Sequence, residues 1–591
     1  MATIGTAKRQ PLSPSKFDDA YAQTRQFLEQ AIPDAVEISD LELLTYSKIG
    51  HQFLGGWEFA VGFSGDPIRV RVLVDHNFPF SAARVGLTEP HSYQFAHLES
   101  GSLLCLKPNQ IVAWDRPADA VSNILAQAKE VIERGLSKDS AEEETRHEII
   151  AYWDKLETGK IAKSLVHPGG KARLVFQINE ELQLTFSDSR ADAKAYRAAS
   201  GKKLKPTSFG KKVPLLWLRR PPSFKQLPNS VGELIRLVTD EASGGIEILE
   251  KYIATNTGRG TLLLGFANED GFALIGADFP KIGFEHTRPK KLAFIRPQDR
   301  SKAITRLRIR RYDPSWIFGR DQNQQTTPLQ ASNVAVIGAG SLGSNVAQQL
   351  ASAGVGRLEI IDPERLVIEN TSRHVLGAES VGGPKASLLA DRLQRSFRTS
   401  EFVGVDSSWQ TWANQTTFKL DEFDLVISTI GDWPNEVHLT DLTQQNENNP
   451  TMLFAWLEPH ALASQAVVLP TKSPCFCCGF SSVGEPRKQV SVWTNAPARR
   501  EIPLCGGQFQ PYGAIALSAH AAHIAEIAVS ALLEGFDGPT HSLQSYSDPT
   551  PHDGDWSDWW KSQAGDNSPA HRRLTLPWPR DETCKMCGAT R

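Results

Sequence analysis

The sequence has few cysteines, little net charge and no long apolar run. Seven cysteines in 591 residues, most of them in short-spaced pairs, argue against a disulfide framework. A formal net charge of −3 gives no electrostatic basis for binding nucleic acid or an anionic membrane. No run of eighteen or more residues is apolar, and the N-terminus lacks the apolar core of a secretory signal. We therefore expect a cytoplasmic protein with about three domains.

The most informative stretch is Asn333–Lys385. It begins with an apolar run that predicts a buried parallel strand and continues into a helical pattern. A second predicted strand follows and ends at Asp362. Between the first strand and the helix stand three glycines in the pattern G-x-G-x-x-G, namely Gly338, Gly340 and Gly343. Such glycines let backbone amides approach a phosphate, and an acid at the next strand end can bind a ribose hydroxyl. The stretch predicts a nucleotide site, with a glycine turn that binds nothing as the alternative.

Polar residues beyond this motif favour ATP over a nicotinamide cofactor. Asn370, Arg373 and Lys385 place an amide and two cations after the nucleotide acid. Cations suit a triphosphate and the negative charge that develops when a carboxylate attacks it, whereas hydride transfer does not need them. Asp432 follows another apolar strand and could hold Mg²⁺. A nicotinamide dehydrogenase remains the alternative.

From about residue 334 to the C-terminus, the chain resembles the adenylation domain of ubiquitin-activating-type enzymes. This superfamily also activates sulfur carriers. The resemblance rests on GAGSLGS and on the later polar residues, which occur in the family's order. It implies that Asp362 holds the ribose of ATP, that Asn370, Arg373 and Lys385 contact the phosphates, and that Asp432 holds Mg²⁺.

Two further points concern this resemblance. The usual second acid after the ribose acid is here Pro363, followed by Glu364. Activating-type enzymes also often present an arginine to ATP from just before the nucleotide strand. Arg311 or Arg320 could take that role, although a surface arginine is the more common case.

Two C-x-x-C pairs lie in the last 120 residues, formed by Cys475 with Cys478 and by Cys584 with Cys587. Four thiolates satisfy tetrahedral Zn²⁺, so the pairs predict a structural zinc site, with redox pairs as the alternative. Cys477 is then a spare thiol.

Cys505 precedes two glycines in a polar loop that leads to a helix beginning near residue 514. A thiol near a helix N-terminus can be partly ionised and nucleophilic. The resemblance implies that Cys505 takes the activated carboxyl from the acyl-adenylate as a thioester. A packing cysteine is the alternative.

The N-terminal 150 residues predict an α+β domain. A helix is expected at 17–31, strands at 41–46, 57–63 and 68–74, and a covering helix with apolar positions from Val121 to Ile132. The remainder is an irregular, proline-bearing segment.

This region resembles a ubiquitin-conjugating-type domain. The residues that carry the resemblance are Phe78-Pro79, His97, Gly101, Cys105-Leu106 and Trp114. It implies that Cys105 carries a thioester that an amine displaces. The family's His-Pro-Asn is replaced by His97-Leu98-Glu99, and Asn109 is a possible substitute for the missing amide. A structural thiol or a non-catalytic binding domain is the alternative.

The predicted fold is multidomain α/β and α+β. It comprises a conjugating-enzyme-like α+β domain at 1–160, a mixed linker domain of unknown role at 161–320, and a Rossmann-like adenylation domain with structural zinc at 321–591. Within the linker domain we expect a hairpin at 172–186 and two more strands at 261–266 and 272–279.

The order of these domains resembles the fused conjugation enzymes of bacterial cyclic-oligonucleotide anti-phage (CBASS) operons. The resemblance implies ATP-dependent adenylation of a protein C-terminal carboxylate, transfer to Cys505 and then Cys105, and conjugation to an amine. It also implies that the donor is a cGAS-like nucleotidyltransferase and that the protein is a homodimer. A sulfur-carrier activator, another ubiquitin-like ligation system and a non-catalytic scaffold are the alternatives.

Overall fold

The computed structural model describes residues 13–47, 50–63, 67–88, 97–99, 102–106, 114–155, 160–179, 184–198, 209–268, 271–414, 420–445, 449–493, 500–501, 508–509, 511–565 and 567–588. The chain divides into two compact units. The first comprises Met1–Ala162, Pro168–Leu174 and Val213–Ile309, and the second comprises Lys163–His167, Val175–Lys212 and Arg310–Arg591. The three-domain division and its boundaries stay a prediction.

The helices are, in chain order, α1 (Pro14–Ala31), α2 (Asp40–Ser47), α3 (Pro117–Leu136), α4 (Lys138–His147), α5 (Ile149–Lys155), α6 (Arg190–Ala198), α7 (Val231–Glu241), α8 (Ile246–Thr255), α9 (Pro297–Arg300), α10 (Pro314–Ile317), α11 (Thr326–Ala331), α12 (Ser341–Ala353), α13 (Lys385–Ser396), α14 (Trp409–Ala413), α15 (Trp433–Gln445), α16 (Ala514–Leu533) and α17 (Asp558–Ala564). The strands are β1 (Val36–Glu37), β2 (Phe53–Val61), β3 (Ile68–Asp75), β4 (Arg84–Leu87), β5 (Ile161–Ser164), β6 (Arg173–Asn179), β7 (Leu184–Ser187), β8 (Phe209–Trp217), β9 (Gly260–Asn268), β10 (Gly271–Phe279), β11 (Thr305–Arg311), β12 (Asn333–Ile337), β13 (Arg357–Ile361), β14 (Glu401–Val405), β15 (Leu425–Ser428), β16 (Thr451–Leu457), β17 (Ala463–Leu469), β18 (Ser491–Val492), β19 (Arg500–Glu501), β20 (Gln508–Phe509), β21 (Thr540–Ser545), β22 (Asp555–Trp556) and β23 (Arg573–Pro577).

The first unit contains an antiparallel sheet in the order β1-β2-β3-β4, covered by α1 and α3. The alternating apolar residues of β3 face the two helices, with Val70, Val72 and Val74 almost fully buried. The buried positions of α3 are those expected from its apolar spacing, from Val121 to Ile132. The predicted α+β arrangement of this region is therefore confirmed.

The strand predicted at 41–46 is wrong, because these residues form α2. Glu42 caps the start of this helix, because its carboxylate accepts from both the Ser39 amide and the Ser39 hydroxyl, at 3.1 and 2.6 Å. This S-x-x-E pattern is a helix-start signal. Leu43 and Tyr46 are buried on one face while Leu41 is exposed, which is a helical rather than a strand pattern.

Four further strands neighbour one another in the order β8-β9-β10-β11, and most of their residues belong to the first unit. β9 and β10 pair along their whole length, from Asn268 opposite Gly271 to Gly260 opposite Phe279, as the sequence predicts. In the second unit, Phe176–Asn179 pairs with Leu184–Ser187, which confirms the predicted hairpin.

The second unit is built on an eight-stranded sheet in the order β14-β13-β12-β15-β16-β17-β21-β23. The first five strands are parallel and the last three are antiparallel. α12, α13 and α16 contribute buried residues to the core against this sheet. Because β12 lies between β13 and β15, the strand order reverses at the end of β12, where open α/β sheets bind ligands. The Rossmann-like part of the predicted fold is confirmed.

One described helix, α16, is long and apolar enough to cross a membrane by length and composition. Its buried residues Leu517, Ala521 and Ile524 pack in the core of the second unit with Val336 and Leu453 of the sheet. Core helices can have this composition as well, and 39% of the apolar window of α16 is buried.

Two buried histidines on α16 predict an acid-sensitive second unit. Nε2 of His520 donates to the Ala461 carbonyl at 2.8 Å, and both His520 and His523 share the Ser464 hydroxyl. Burial lowers the pKa of His520 to about 4 and that of His523 to about 3. Below about pH 6.5 the unfolded chain binds protons that the folded chain does not, so stability falls by about 1.4 kcal/mol per histidine and pH unit until the folded pKa is reached.

We expect the amide protection factors of α16, which are corrected for the intrinsic exchange rate, to fall as the pH is lowered from 7.5 to 5. His523→Gln should flatten this dependence, whereas the same change at exposed His286, in the first unit, should leave it unaltered. An equally steep dependence in His523→Gln would contradict the assignment.

Candidate active site

The glycine loop after β12 uses each of its three glycines differently. Gly338 has a φ of +95°, which favours glycine. A Cβ on Gly343 would lie 1.9 Å from the Gly338 carbonyl oxygen and 2.4 Å from Thr429 Oγ1. Helix α12 can therefore pack against the glycine loop only if residue 343 has no side chain. A Cβ on Gly340 would meet nothing within 4 Å. The loop is therefore closely packed beneath and open at the N-terminus of α12, where an anion is favoured.

Asp362 ties the end of β13 to this loop. Its Oδ2 accepts from the Ala339 amide and its Oδ1 from the Glu364 amide, both at 2.7 Å. The residue is 6% exposed, and burial raises the pKa of its carboxyl. Each carboxylate oxygen can accept a second hydrogen bond, so the geometry is compatible with a ribose hydroxyl. The ribose-binding role stays a prediction.

The predicted phosphate-contacting residues lie between β13 and α13. Arg373 is held at the first turn of α12, because the Asn345 amide group donates to both the Arg373 and the Ser341 carbonyls, at 3.0 and 2.7 Å. The Arg373 guanidinium lies 4.6 Å from the centre of the Tyr512 ring. Asn370 has a local role here, since its Oδ1 accepts from the Val367 amide at 3.4 Å.

Lys385 is buried at the start of α13, and its ammonium pairs with the Glu364 carboxylate. Glu364 is the residue that follows proline where the family has its second acid. Glu364 therefore has a structural role at this position, because its carboxylate neutralises the charge of the buried Lys385. To bind a phosphate, the Lys385 ammonium would have to leave Glu364.

Asp432 lies at the carboxyl end of β15, the strand that neighbours β12. It is exposed, and its Oδ2 accepts from the backbone amide and the side-chain amide of Asn435, at 3.2 and 2.7 Å. Carboxylate oxygens are the ligands that Mg²⁺ prefers. Mg²⁺ binding by Asp432 stays a prediction.

Three residues that the sequence reasoning missed brace the glycine loop. Tyr512 and Ser341 share a hydrogen bond of 2.5 Å between their hydroxyls. His374 Nδ1 accepts from the Leu376 amide, so its Nε2–H donates to the Ala339 carbonyl at 2.7 Å, and burial lowers the pKa of this imidazole. Thr429 Oγ1 donates to the Gly338 carbonyl at 2.9 Å. These residues are distant in sequence and form no motif.

The two candidate arginines before β12 differ. Arg311 is buried and makes a bidentate pair with Asp313, at 2.8 and 2.7 Å, and a second pair with Asp321. The guanidinium of Arg320 lies 5.0 Å from the centre of the Trp316 ring. The carboxylates already hold Arg311 in place, so Arg320 is the better candidate of the two.

Cys105 is exposed and lies on a short antiparallel connection in the first unit. The Cys105 amide donates to the His97 carbonyl at 2.6 Å, and Leu104 pairs with Leu98. His97 has a φ of +64°, and its Nδ1 lies 2.5 Å from the Glu148 carboxylate, a contact that raises the pKa of the imidazole. His97 therefore holds this connection against α4–α5, consistent with a structural role.

Two carboxylates lie near the Cys105 thiol. Burial, then Glu99 and Glu148, raise its pKa, and Arg84 opposes them while pairing with Glu99 at 2.8 Å. The acid that replaces the family's amide position thus adds to the effect of burial in raising the pKa of this thiol, and a smaller thiolate fraction slows reaction with electrophiles.

Glu99→Gln is expected to increase the rate at which iodoacetamide alkylates Cys105 at pH 7.5 by about twofold to fivefold, because removing the charge lowers the thiol pKa. Alkylation is read at Cys105 by peptide mass spectrometry. Glu133→Gln, on the exposed face of α3, is the matched control and should leave the rate unchanged. A slower reaction in Glu99→Gln would contradict the assignment.

The two C-x-x-C pairs come together in the second unit. Sulfur atoms of Cys475 and Cys478 lie 3.9 Å apart, those of Cys475 and Cys584 3.7 Å, and those of Cys478 and Cys587 3.4 Å. All four lie within 4.8 Å of one another, so the group could hold a metal ion. Tetrahedral Zn²⁺ with bonds of about 2.3 Å separates its sulfurs by about 3.8 Å, which fits this set. Cys477 is not a member of the set.

Three residues of the predicted sites lie outside the described part of the chain: Gly101, Asn109 and Cys505. The thioester role of Cys505 and the substitution by Asn109 stay predictions.

Two segments of the chain match known protein families. Residues 312–551 match the ThiF family and residues 43–162 match the prokaryotic E2 family B. The ATP-dependent ubiquitin transferase-like protein Cap2 of Enterobacter hormaechei is 29% identical over 29% of this chain and 31% of that protein. The sulfur carrier protein adenylyltransferase of Thermus thermophilus is 30% identical over 23% of this chain and 50% of that protein. The crystal structure of E. coli MccB aligns at 17% identity over 45% of this chain and 67% of its own, with a TM-score of 0.32, too low to support an argument.

The chain thus contains a segment that matches the prokaryotic E2 family B and, later in the sequence, a segment that matches the ThiF family. Both resemblances seen in the sequence are confirmed at this level. The aligned regions span about a third of the Cap2 protein and half of the sulfur-carrier enzyme.

Proposed function

We propose that this protein activates the C-terminal carboxylate of a donor protein with ATP and conjugates it to an amine. The observation that carries the proposal is the presence of a ThiF segment and an E2 segment in one chain, each with a candidate cysteine. An adenylation site alone would leave an acyl-adenylate, and a conjugating domain alone would have no activated acyl group to transfer.

In the first step, a donor carboxylate oxygen bonds to the α-phosphorus of ATP and pyrophosphate leaves. The open amides at the N-terminus of α12, with Arg373 and Lys385, stabilise the negative charge that builds on the phosphate. Asp362 orients the nucleotide through the ribose. Asp432 would hold Mg²⁺, and the ion would supply positive charge beside the phosphates.

Two acyl transfers follow, of which the first forms a thioester and the second exchanges it. The Cys505 thiolate attacks the acyl carbon and AMP leaves, and the Cys105 thiolate then attacks the new thioester and frees Cys505. An acceptor amine attacks the Cys105 thioester, forms an amide, loses a proton and releases the thiol. Each thioester preserves part of the free energy of the anhydride.

The remaining features of the proposal follow from the sequence resemblance. The donor is a cGAS-like nucleotidyltransferase of the same operon, the protein is a homodimer, and it acts in the cytoplasm in antiviral defence. Zn²⁺ is proposed for the four-cysteine group because its sulfur spacing fits that ion.

A second candidate is the activation of a sulfur carrier, which the match to the Thermus thermophilus adenylyltransferase favours. That reaction uses the same adenylation site and needs no E2 segment. It would leave Cys105 without a role.

Donor-dependent exchange between ATP and labelled pyrophosphate tests the adenylation step. We expect exchange with the nucleotidyltransferase and none with a variant lacking its last residues. Cys505→Ala and Cys105→Ala should both retain exchange, because neither thiol takes part in the first step. Exchange that is absent with every donor, together with NAD binding, would favour an oxidoreductase instead.

A further inference from the structure

A cavity of about 710 Å³ opens beside the glycine loop within the second unit. It is lined by residues at the ends of three neighbouring strands: Gly340–Leu342 after β12, Thr429–Gly431 after β15, and Trp456–Pro459, which includes the last two residues of β16. Asp362 ends β13, on the other side of β12. A nucleotide held at Asp362 and a second ligand in this cavity would therefore meet over Gly340.

Six aromatic rings form much of the cavity wall. We call it the aromatic cleft, and the rings are those of Trp433, Trp456, Phe476, Phe480, Trp493 and Tyr512. Four of the rings contact one another, those of Trp433, Trp456, Phe476 and Phe480, with ring centres 4.8 Å apart for Trp433 and Phe480 and 4.7 Å for Phe476 and Phe480. Preformed aromatic walls bind apolar groups by burial and edge or face contacts. A donor protein that ends in two glycines would have no side chain there to contact these walls.

A buried carboxyl group lies at the base of this cleft. Glu436 is 5% exposed, and its Oε1 accepts from the Ser428 hydroxyl at 2.8 Å and from the Gly431 amide at 3.4 Å. Its Oε2 is buried without a hydrogen-bond partner among the described residues. An unmade bond of this kind costs about 1–3 kcal/mol, and a ligand that supplies the partner removes that cost.

The charge of the cleft sets the orientation of an occupant. Its lining residues in the described part of the chain include no lysine or arginine. Glu458, the other acid, is fully engaged with the Val490 and Ser491 amides, the Ser491 hydroxyl and the Gln465 side chain. A terminal carboxylate would thus avoid the cleft interior and lie at the glycine loop, near the amides of α12 and Arg373.

We propose that the aromatic cleft binds the last residues of the donor and selects a donor with an aromatic or large aliphatic side chain close to its C-terminus. Glu436 is the positioning residue, hydrogen-bonded to a backbone N–H of that tail. The inference rests on the proposed adenylation and specifies its substrate class. A site with this preference differs from one that binds a donor protein ending in two glycines.

Calorimetry with two synthetic decapeptides tests the selectivity in the presence of a non-hydrolysable ATP analogue. The peptides are identical except that one ends in Phe-Gly and the other in Gly-Gly. We expect the first to bind at least about tenfold more tightly. Trp456→Ala and Trp493→Ala should each remove this preference, while Trp559→Ala, outside the cleft, should retain it.

A double-mutant cycle tests Glu436. N-methylation of one tail amide should weaken binding to the wild-type protein about tenfold and have little further effect in Glu436→Gln. A purely structural role would lower the melting temperature of Glu436→Gln and leave the N-methylation penalty unchanged, which would overturn the positioning role.

Equal binding of both peptides, or binding of neither, overturns the selectivity. Pyrophosphate exchange with the intact donor is measured in parallel and reports separately on adenylation. If the peptide selectivity fails while pyrophosphate exchange persists, only the selectivity proposal is wrong. If exchange is absent, the proposed adenylation itself is wrong.

Discussion

Gly343→Ala is expected to abolish ATP binding and to destabilise the second unit. The new Cβ would lie 1.9 Å from the Gly338 carbonyl oxygen, so α12 must move away from the loop that it begins. Overpacking of this kind typically costs about 1–3 kcal/mol and displaces backbone. Displaced amides lose the convergence that phosphate binding needs. Urea unfolding and ATP calorimetry measure the two effects.

Gly340→Ala is the matched control for that experiment. Its Cβ would enter open space, and its φ of −70° is allowed for alanine, so stability should stay within about 0.5 kcal/mol of wild type. ATP affinity should still fall, because the methyl group stands where a phosphate approaches. A stable Gly343→Ala protein with normal ATP affinity would contradict the assignment of this loop.

Loss of the proposed zinc ion is expected to have the second large effect. Cys584 and Cys587 are brought against Cys475 and Cys478, and the Trp578 indole beside them donates to the Cys475 carbonyl at 2.9 Å. Bound zinc contributes about 10–16 kcal/mol to the folding of zinc-finger peptides. Cys584→Ser should therefore lose about one zinc per chain and lower the melting temperature by more than about 10 °C.

Cys477→Ser separates the metal site from a general effect of losing a thiol. It should retain zinc and the wild-type melting temperature, because Cys477 lies outside the four-cysteine group. The phosphine reductant TCEP, which reduces disulfides but binds Zn²⁺ only weakly, should not reproduce the Cys584→Ser result. If it does, the pairs form disulfides and the zinc assignment is wrong.

Local patterns predicted the parts of the fold that depend on local physics. β13 and the start of α16 fall where the sequence places them, because buried parallel strands are nearly continuous apolar runs and a glycine precedes the helix. α2 was missed because its short apolar run resembles a strand, while the Ser39–Glu42 cap was overlooked.

The candidate site was predictable only where residues form a motif. The glycines and Asp362 stand at family spacing, and the structure brings them together. Tyr512 and Glu436 reach the same place from distant segments, by way of α16 and α15, and no periodicity marks them. The pairing of Lys385 with Glu364 likewise depends on how the chain folds back.

The central claim is a relay of one acyl group through two cysteines. Its most direct test is to incubate the protein with ATP, Mg²⁺ and the cGAS-like donor, and to resolve the products on a non-reducing gel. The account predicts that Cys105→Ala accumulates a thiol-sensitive donor adduct at Cys505, and that Cys505→Ala forms no adduct at either position. A donor adduct at Cys105 in the Cys505→Ala protein would contradict the relay.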